Sequence, residues 1–308
     1  MKFPNASKEE INPFLQLLLL IAYAILGTLV FTTLAGGIVF IFYGKDVLLQ
    51  ILSSRITDSS IDGFKILQAF SSSIGMMAAP AILLALTERI KLTSFYSFKK
   101  VSFLPLLLVF LILFASLPFM EWVTLLNQKM SLPSALSGIE AWMKQLEESA
   151  AQATIKLITV RNNFDFVVNL VVIALLPAVG EELLFRGGVQ RTLHRMYGNP
   201  HAAIWLSAII FSAIHMQFYG FIPRMLLGAG FGYLYYYSGS LWYAMFGHFL
   251  NNGYAVCVAF YMQKNNLPLD KVDEPLGFPW YGYLISAIIT LALFGFFKQT
   301  IQRERKLD

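Results

Sequence analysis

Three charged residues, Glu181, Glu182 and Arg186, stand in a run that is otherwise apolar from "FVVNLVVIALL" at Phe166 to Gln190. An ionisable group at membrane depth costs about 3 kcal/mol or more, so such residues mark function or a dedicated partner. The other polar outliers follow in order: His215 in "FSAIH", then His248, Asn251 and Asn252 in "HFLNN". Only four histidines occur in the chain, and two of them fall in these apolar segments. A helix turns about 100° per residue, so Glu181 and Glu182 are expected to face different places. Glu182 and Arg186 are four apart with the acid first, the favourable order for an ion pair. The same spacing puts Phe211 with His215 and His248 with Asn252, while Asn251 points elsewhere. A carboxylate and an imidazole that share a water can deprotonate it toward a carbonyl. A second imidazole with an amide side chain can donate to the oxyanion that develops. Such a set could hydrolyse an amide bond without a serine or cysteine nucleophile. The plainer reading is a structural network of the three charges that clamps helices together, with each histidine a satisfied core residue.

These residues need apolar helices to carry them. The chain has 308 residues, 57% hydrophobic and only 13% charged, against about 25% charged in a soluble domain. The expected fold class is therefore all-α, a single polytopic membrane domain over 1–308. Segments apolar enough to span number eight: Pro13–Phe42, Phe64–Leu86, Phe103–Leu126, Phe164–Val189, Ala202–Met216, Ile222–Tyr237, Leu241–Met262 and Tyr281–Phe297. The fifth and sixth are short, as for helices packed against protein. Ionisable residues are expected only in the second half of this set. Between the third and fourth lies an insert, 128–163, in which Ile139, Trp142, Met143 and Leu146 share one helical face. It reads as an amphipathic helix on the membrane or over the bundle, begun by a capping box of Ser137 and Glu140. A Pro-rich polar loop, "NNLPLDKVDEPLGFP", precedes the last span. The N-terminal "MKFPNASKEEINPF" is too polar for a signal peptide. Basic residues in "TERIKLTSFYSFKK" and "KQTIQRERKLD" would, with eight spans, share a side with the N-terminus, which orients both termini to the cytoplasm. The net charge of +5 gathers at span ends, with no basic, aromatic-laced patch for nucleic acid. A lone Cys257 excludes an internal disulfide.

Glu-Glu-x-x-x-Arg, then Phe-x-x-x-His, then His-x-x-x-Asn, on successive membrane helices, resembles the motif set of the CPBP family. That family contains the CAAX proteases and bacteriocin-processing enzymes and is also called Abi. The resemblance covers about 164–262, the expected catalytic core, and includes the glycine after the arginine, Gly187. It implies an eight-helix intramembrane endopeptidase in which Glu181 and His215 activate water. It casts His248 and Asn252 as the oxyanion hole and Glu182 and Arg186 as supports of the site, with Phe211 beside them. Two His and two Glu could in principle hold Zn²⁺. The chain lacks His-Glu-x-x-His and adjacent glutamates chelate one ion poorly, so no cofactor and no metal ligand are expected. The partners implied are the bilayer and a peptide or protein substrate, with or without an attached lipid. A bacterial plasma membrane is the expected location. Two other classes fit the polar residues less well. A proton-coupled transporter would show related halves with polar residues in both, and the first three spans lack them. A non-catalytic immunity or binding protein has no need of the intact set.

Overall fold

A computed structural model describes residues 10–269 and 275–307. The described residues form helices and no strand. In chain order the long helices are α1 (Pro13–Leu52), α2 (Ile61–Thr87), α3 (Phe103–Gln128), α4 (Ser137–Ile158) and α5 (Asn163–Tyr197). After them come α6 (Pro200–Ala213), α7 (Phe221–Ser238), α8 (Leu241–Lys264) and α9 (Trp280–Leu307). Five of them, α1, α2, α3, α5 and α9, are long and apolar enough to cross a membrane, and α6 is a shorter apolar helix. Each of the eight apolar segments read from the sequence falls mainly within one helix. The signal-peptide reading of the N-terminus and part of the Pro-rich loop lie outside the described residues.

Local chemistry sets the helix ends. Asn12, Asn162 and Asn199 each cap a helix by accepting backbone N–H bonds, at 2.8–3.3 Å, and Pro13 and Pro200 open α1 and α6 where no N–H is needed. Gly198 ends α5 in the left-handed conformation at φ 67°. The α1 helix is longer than expected and kinks at Gly44, whose φ of 84° is not helical. The capping box does not form: Ser137 lies inside the first turn, and Leu136 occupies the cap. Glu140 instead pairs with Lys144 at 2.9 Å and accepts from the Leu132 N–H at 3.2 Å.

The largest core cluster joins Leu84, Tyr96, Phe185, Leu234, Tyr243 and Phe297, and so ties α2, α5, α7, α8 and α9 together. Outward, α1 and α9 present large apolar side chains such as Ile41, Phe42 and Leu291, each more than 70% exposed, the surface that a bilayer covers. Helices α1 and α2 approach closely because Gly27 faces Gly75; a Cβ on Gly27 would lie 2.2 Å from the Gly75 carbonyl oxygen. One ionisable residue of the first half is buried after all. Lys65, at the start of α2, stands near a clamp in which Arg161 holds Asp62 at 2.5 Å and Asp165 at 2.8 Å. The sequence places it at the very edge of an apolar segment, where a lysine is ordinarily solvated.

Candidate active site

Helix α5 carries Glu181 and Glu182 between two π-helical stretches, Leu170–Leu175 and Leu183–Gln190, and Arg186 within the second. Such wide turns break the regular ladder and recur where a helix presents functional groups. Pro177 accounts for part of the first one. It has no N–H to return to the Ile173 carbonyl, four residues back. Asn252 of α8 supplies a donor there, its Nδ2 lying 3.2 Å from that oxygen. Gly180 lets α5 settle on α2, since a Cβ at this position would stand 2.5 Å from the Ser73 carbonyl oxygen.

The expected ion pair is present. Arg186 Nη1 lies 2.9 Å from Glu182 Oε1, and both side chains are buried. The contact is an ion pair rather than a well-aligned hydrogen bond, because Nη1 lacks hydrogen-bond geometry to any acceptor. Arg186 Nη2 donates to the Gly228 carbonyl at 2.8 Å, and its guanidinium lies over the rings of Phe211 and Phe231, 4.8 and 5.6 Å from their centroids. One turn further on, Gln190 Nε2 donates to the Gly232 carbonyl at 3.2 Å, so two rungs join α5 to α7.

The two glutamates are less separate than their 100° offset implies. His248 of α8 comes between them: its Nδ1 is 2.8 Å from Glu182 Oε1, and its Nε2 is 3.7 Å from Glu181 Oε2. The side chains do diverge, but one imidazole is wide enough to reach both. Glu182 accepts, being the partner of Arg186, so Nδ1 carries the proton of that bond. Phe231 stacks on the imidazole at 5.1 Å and 15°, and Phe211 meets it edge-on at 6.2 Å. The Glu181 carboxylate accepts no hydrogen bond from the described residues, whereas Glu182 is committed to Arg186 and His248.

His215 lies just past the end of α6, in the turn before Met216, which takes a left-handed φ of 53°. Its Nδ1 is 2.8 Å from the Phe211 carbonyl oxygen. A carbonyl can only accept, so Nδ1 holds the hydrogen and Nε2 keeps a lone pair free. Phe211 packs against this ring at 5.0 Å and thus stands between the two imidazoles. No carboxylate lies within 4.0 Å of His215 among the described residues; the imidazole beside Glu181 is that of His248. Asn252 uses one N–H on Ile173, and its Oδ1 accepts from Asn251 Nδ2 at 3.1 Å, which leaves its second N–H uncommitted. Asn251 therefore touches its neighbour's side chain instead of pointing away. Among the described residues no three His, Cys, Asp or Glu side chains gather into a metal-binding group.

Two residues around this site carry no part in the sequence reading. Asn127 of α3, buried, donates to the Phe218 carbonyl at 3.0 Å and accepts the Ile222 N–H at 2.7 Å, which fixes the loop between α6 and α7. Arg224 in "FIPRMLL" donates from Nη2 to Gln217 Oε1 at 2.5 Å. Its charge within an apolar segment was the available signal.

Residues 163–254 match the family model described as Type II CAAX prenyl endopeptidase Rce1-like. The chain is also 27% identical over 110 residues, 34% of its length, to a Bacillus subtilis (strain 168) protein described as Uncharacterized protein YpbD. The match spans about half of that relative, 52%. No solved structure matches the chain. The matched residues include all three motifs, from Glu181 on α5 through His215 to Asn252 on α8. By its 163–254 segment, this integral membrane protein is similar to the CPBP (Abi) family.

Proposed function

We propose that the chain is an intramembrane endopeptidase, similar to CAAX proteases, that cleaves a peptide bond with an activated water. The observation that carries this reading is the division of labour between the two carboxylates. Glu182 is spent on Arg186 and His248, while Glu181 is uncommitted and faces the same imidazole. Glu181 takes the proton of the attacking water and later gives it to the leaving amine, while His215 accepts a hydrogen bond from the same water at its free Nε2 lone pair. His248 donates to the oxyanion from Nε2. That donation needs the doubly protonated ring, for which Glu181 at 3.7 Å is the counter-charge and Glu182 the acceptor at Nδ1. The second N–H of Asn252 completes the oxyanion site. Water attacks the carbonyl carbon, the tetrahedral oxyanion collapses, and the leaving nitrogen departs with the proton first taken from water.

The helices α6, α7 and α8 complete eight crossings in this reading, with α4 as the amphipathic insert and 164–262 as the catalytic core of one domain. The substrate is a peptide or protein, lipidated or not, and the enzyme needs no metal. The membrane is a bacterial plasma membrane in this reading, and the distribution of basic residues supports both termini in the cytoplasm; reporter fusions at each end test the orientation. The decisive assay uses wild type and Glu181→Gln in nanodiscs on a fluorogenic CAAX-type peptide and on membrane peptides of the host, with and without chelator. Loss of a general base lowers the rate by about 10²–10⁴-fold, and chelator leaves wild type unchanged. Equal hydrolysis by the two proteins ends the glutamate mechanism. Activity lost in chelator and restored by Zn²⁺ ends the metal-free one.

A further inference from the structure

Arg224 is a cation at the same site whose donors the protein does not use up. It sits in the first turn of α7, directly after the loop that carries His215. Its Nη2 is bound to Gln217, but Nη1 is buried and donates to nothing. No carboxylate lies within 4.0 Å of it among the described residues. The guanidinium rests across Gly220, where a Cβ would come within 3.1 Å of Nη2 and 3.5 Å of Nη1. Four residues further along α7, about 6 Å by helix rise, Gly228 receives Arg186. One face of α7 therefore holds the Glu182–Arg186–His248 network at one level and Arg224 a turn away, toward the end of α6. Arg224 also lies in electrostatic range of Glu181, His215 and Glu147. Glu147, on α4, does not pair with it, because its Oε2 accepts the Tyr219 N–H at 3.0 Å.

A buried guanidinium N–H with no acceptor is costly, and the planar fork of arginine suits one ligand best, a carboxylate. We propose that Arg224 is the specificity-determining residue of the site and that its unpaired Nη1 receives a carboxylate of the peptide substrate. The site would then prefer chains with a free C-terminal carboxylate, or an acidic side chain, a short distance beyond the bond presented to Glu181. This rests on the peptidase reading only for the identity of that bond; capture of the carboxylate is separable from cleavage.

The test uses full-length protein in nanodiscs on a Glu181→Gln background, where bound peptide is not consumed. Fluorescence anisotropy compares a labelled peptide with a free C-terminal acid against the same peptide as a C-terminal amide. The parent should bind the acid about tenfold more tightly or better, the range of a hydrogen bond to a charged group. Arg224→Gln should reduce the acid-to-amide ratio to near one. Arg224→Lys, which keeps the charge but loses the fork, should leave an intermediate ratio, as should Gly220→Val, which displaces the guanidinium. Each ratio is taken on one preparation, so partial misfolding cancels. A C-terminal amide peptide ending in Asp identifies the source of the carboxylate. Binding like the acid means any carboxylate at that distance, binding like the amide means the terminus itself, and either upholds Arg224 as its receiver. Equal binding of acid and amide by the parent, or a preference that survives Arg224→Gln, overturns the proposal. Wild-type cleavage is scored separately. No cleavage with an Arg224-dependent preference sinks only the peptidase reading, and cleavage without any preference sinks only this one.

Discussion

Replacing Glu182 by Gln keeps the shape of the side chain and an oxygen for His248 Nδ1, but leaves the Arg186 charge buried alone. Charges 2.9 Å apart attract by about 6 kcal/mol at an effective dielectric near 20. Part of that is offset by the cost of burying both groups. Removing one partner of such a pair typically costs about 3–5 kcal/mol, because the desolvated survivor has no counter-charge. The Gly228 carbonyl and the rings of Phe211 and Phe231 still hold the guanidinium, so the lower end, about 3 kcal/mol, is expected. Arg186→Met should cost a similar amount, now for a buried carboxylate that has lost its arginine counter-charge. The double variant carries neither charge and should regain a third to a half of the summed loss, a coupling of about 2–3 kcal/mol. Reversible unfolding in mixed micelles, followed by tryptophan fluorescence, gives the four free energies of the cycle. Hydrolysis should not recover with stability, since the double variant no longer holds a carboxylate at His248 Nδ1. Losses that add to within about 0.5 kcal/mol would refute the reasoning, because the pair would then contribute nothing as a pair.

Three further outcomes follow from the same packing. Gly180→Ala forces a Cβ to within 2.5 Å of the Ser73 carbonyl oxygen and should cost about 1–3 kcal/mol while lowering turnover through its neighbour Glu181; Gly37→Ala, with nothing within 4 Å, should be neutral in the same unfolding assay. Asn127→Ala leaves the Ile222 N–H and Phe218 carbonyl without their partner, about 1–3 kcal/mol, and hydrogen exchange should rise selectively in the 214–222 loop. The third concerns Glu10, whose carboxyl burial raises, but which the hydrogen bond and charge of Arg191, with Arg195, bring below the ordinary carboxylate range. A carboxylate held down in this way stabilises fully above its unfolded value of about 4.3 and less as pH falls through the lower folded value. Exchange at residues 10–16 should therefore increase on acidification below about pH 4.3, and Glu10→Gln should flatten that dependence; an unchanged profile would remove the clamp.

Within one helix, the sequence by itself determined most of what matters. The Glu182–Arg186 pair follows from a spacing of four, and the asparagine caps and Gly198 stop follow from side chains that satisfy or release nearby backbone groups. Composition alone called for apolar helices, and the order of the three motifs pointed to the family. Only the tertiary structure decided which elements meet. Nothing in "VGEELLFRGG" says that an imidazole from α8 lies between both carboxylates, or that Asn252 donates to the Ile173 carbonyl, to which Pro177 has no N–H to offer. The Ser137–Glu140 cap was a valid local pattern, but Leu132, Lys144 and the loop tyrosine Tyr219 compete for the same carboxylate. Arg224 and Lys65 were missed for a related reason. At the first turn of an apolar helix, a long cation that reaches water and one that is buried have the same sequence. Helical periodicity relates residues a few positions apart, whereas contacts between helices depend on rotation, depth and close approach, and these are set by packing such as Gly180 against Ser73.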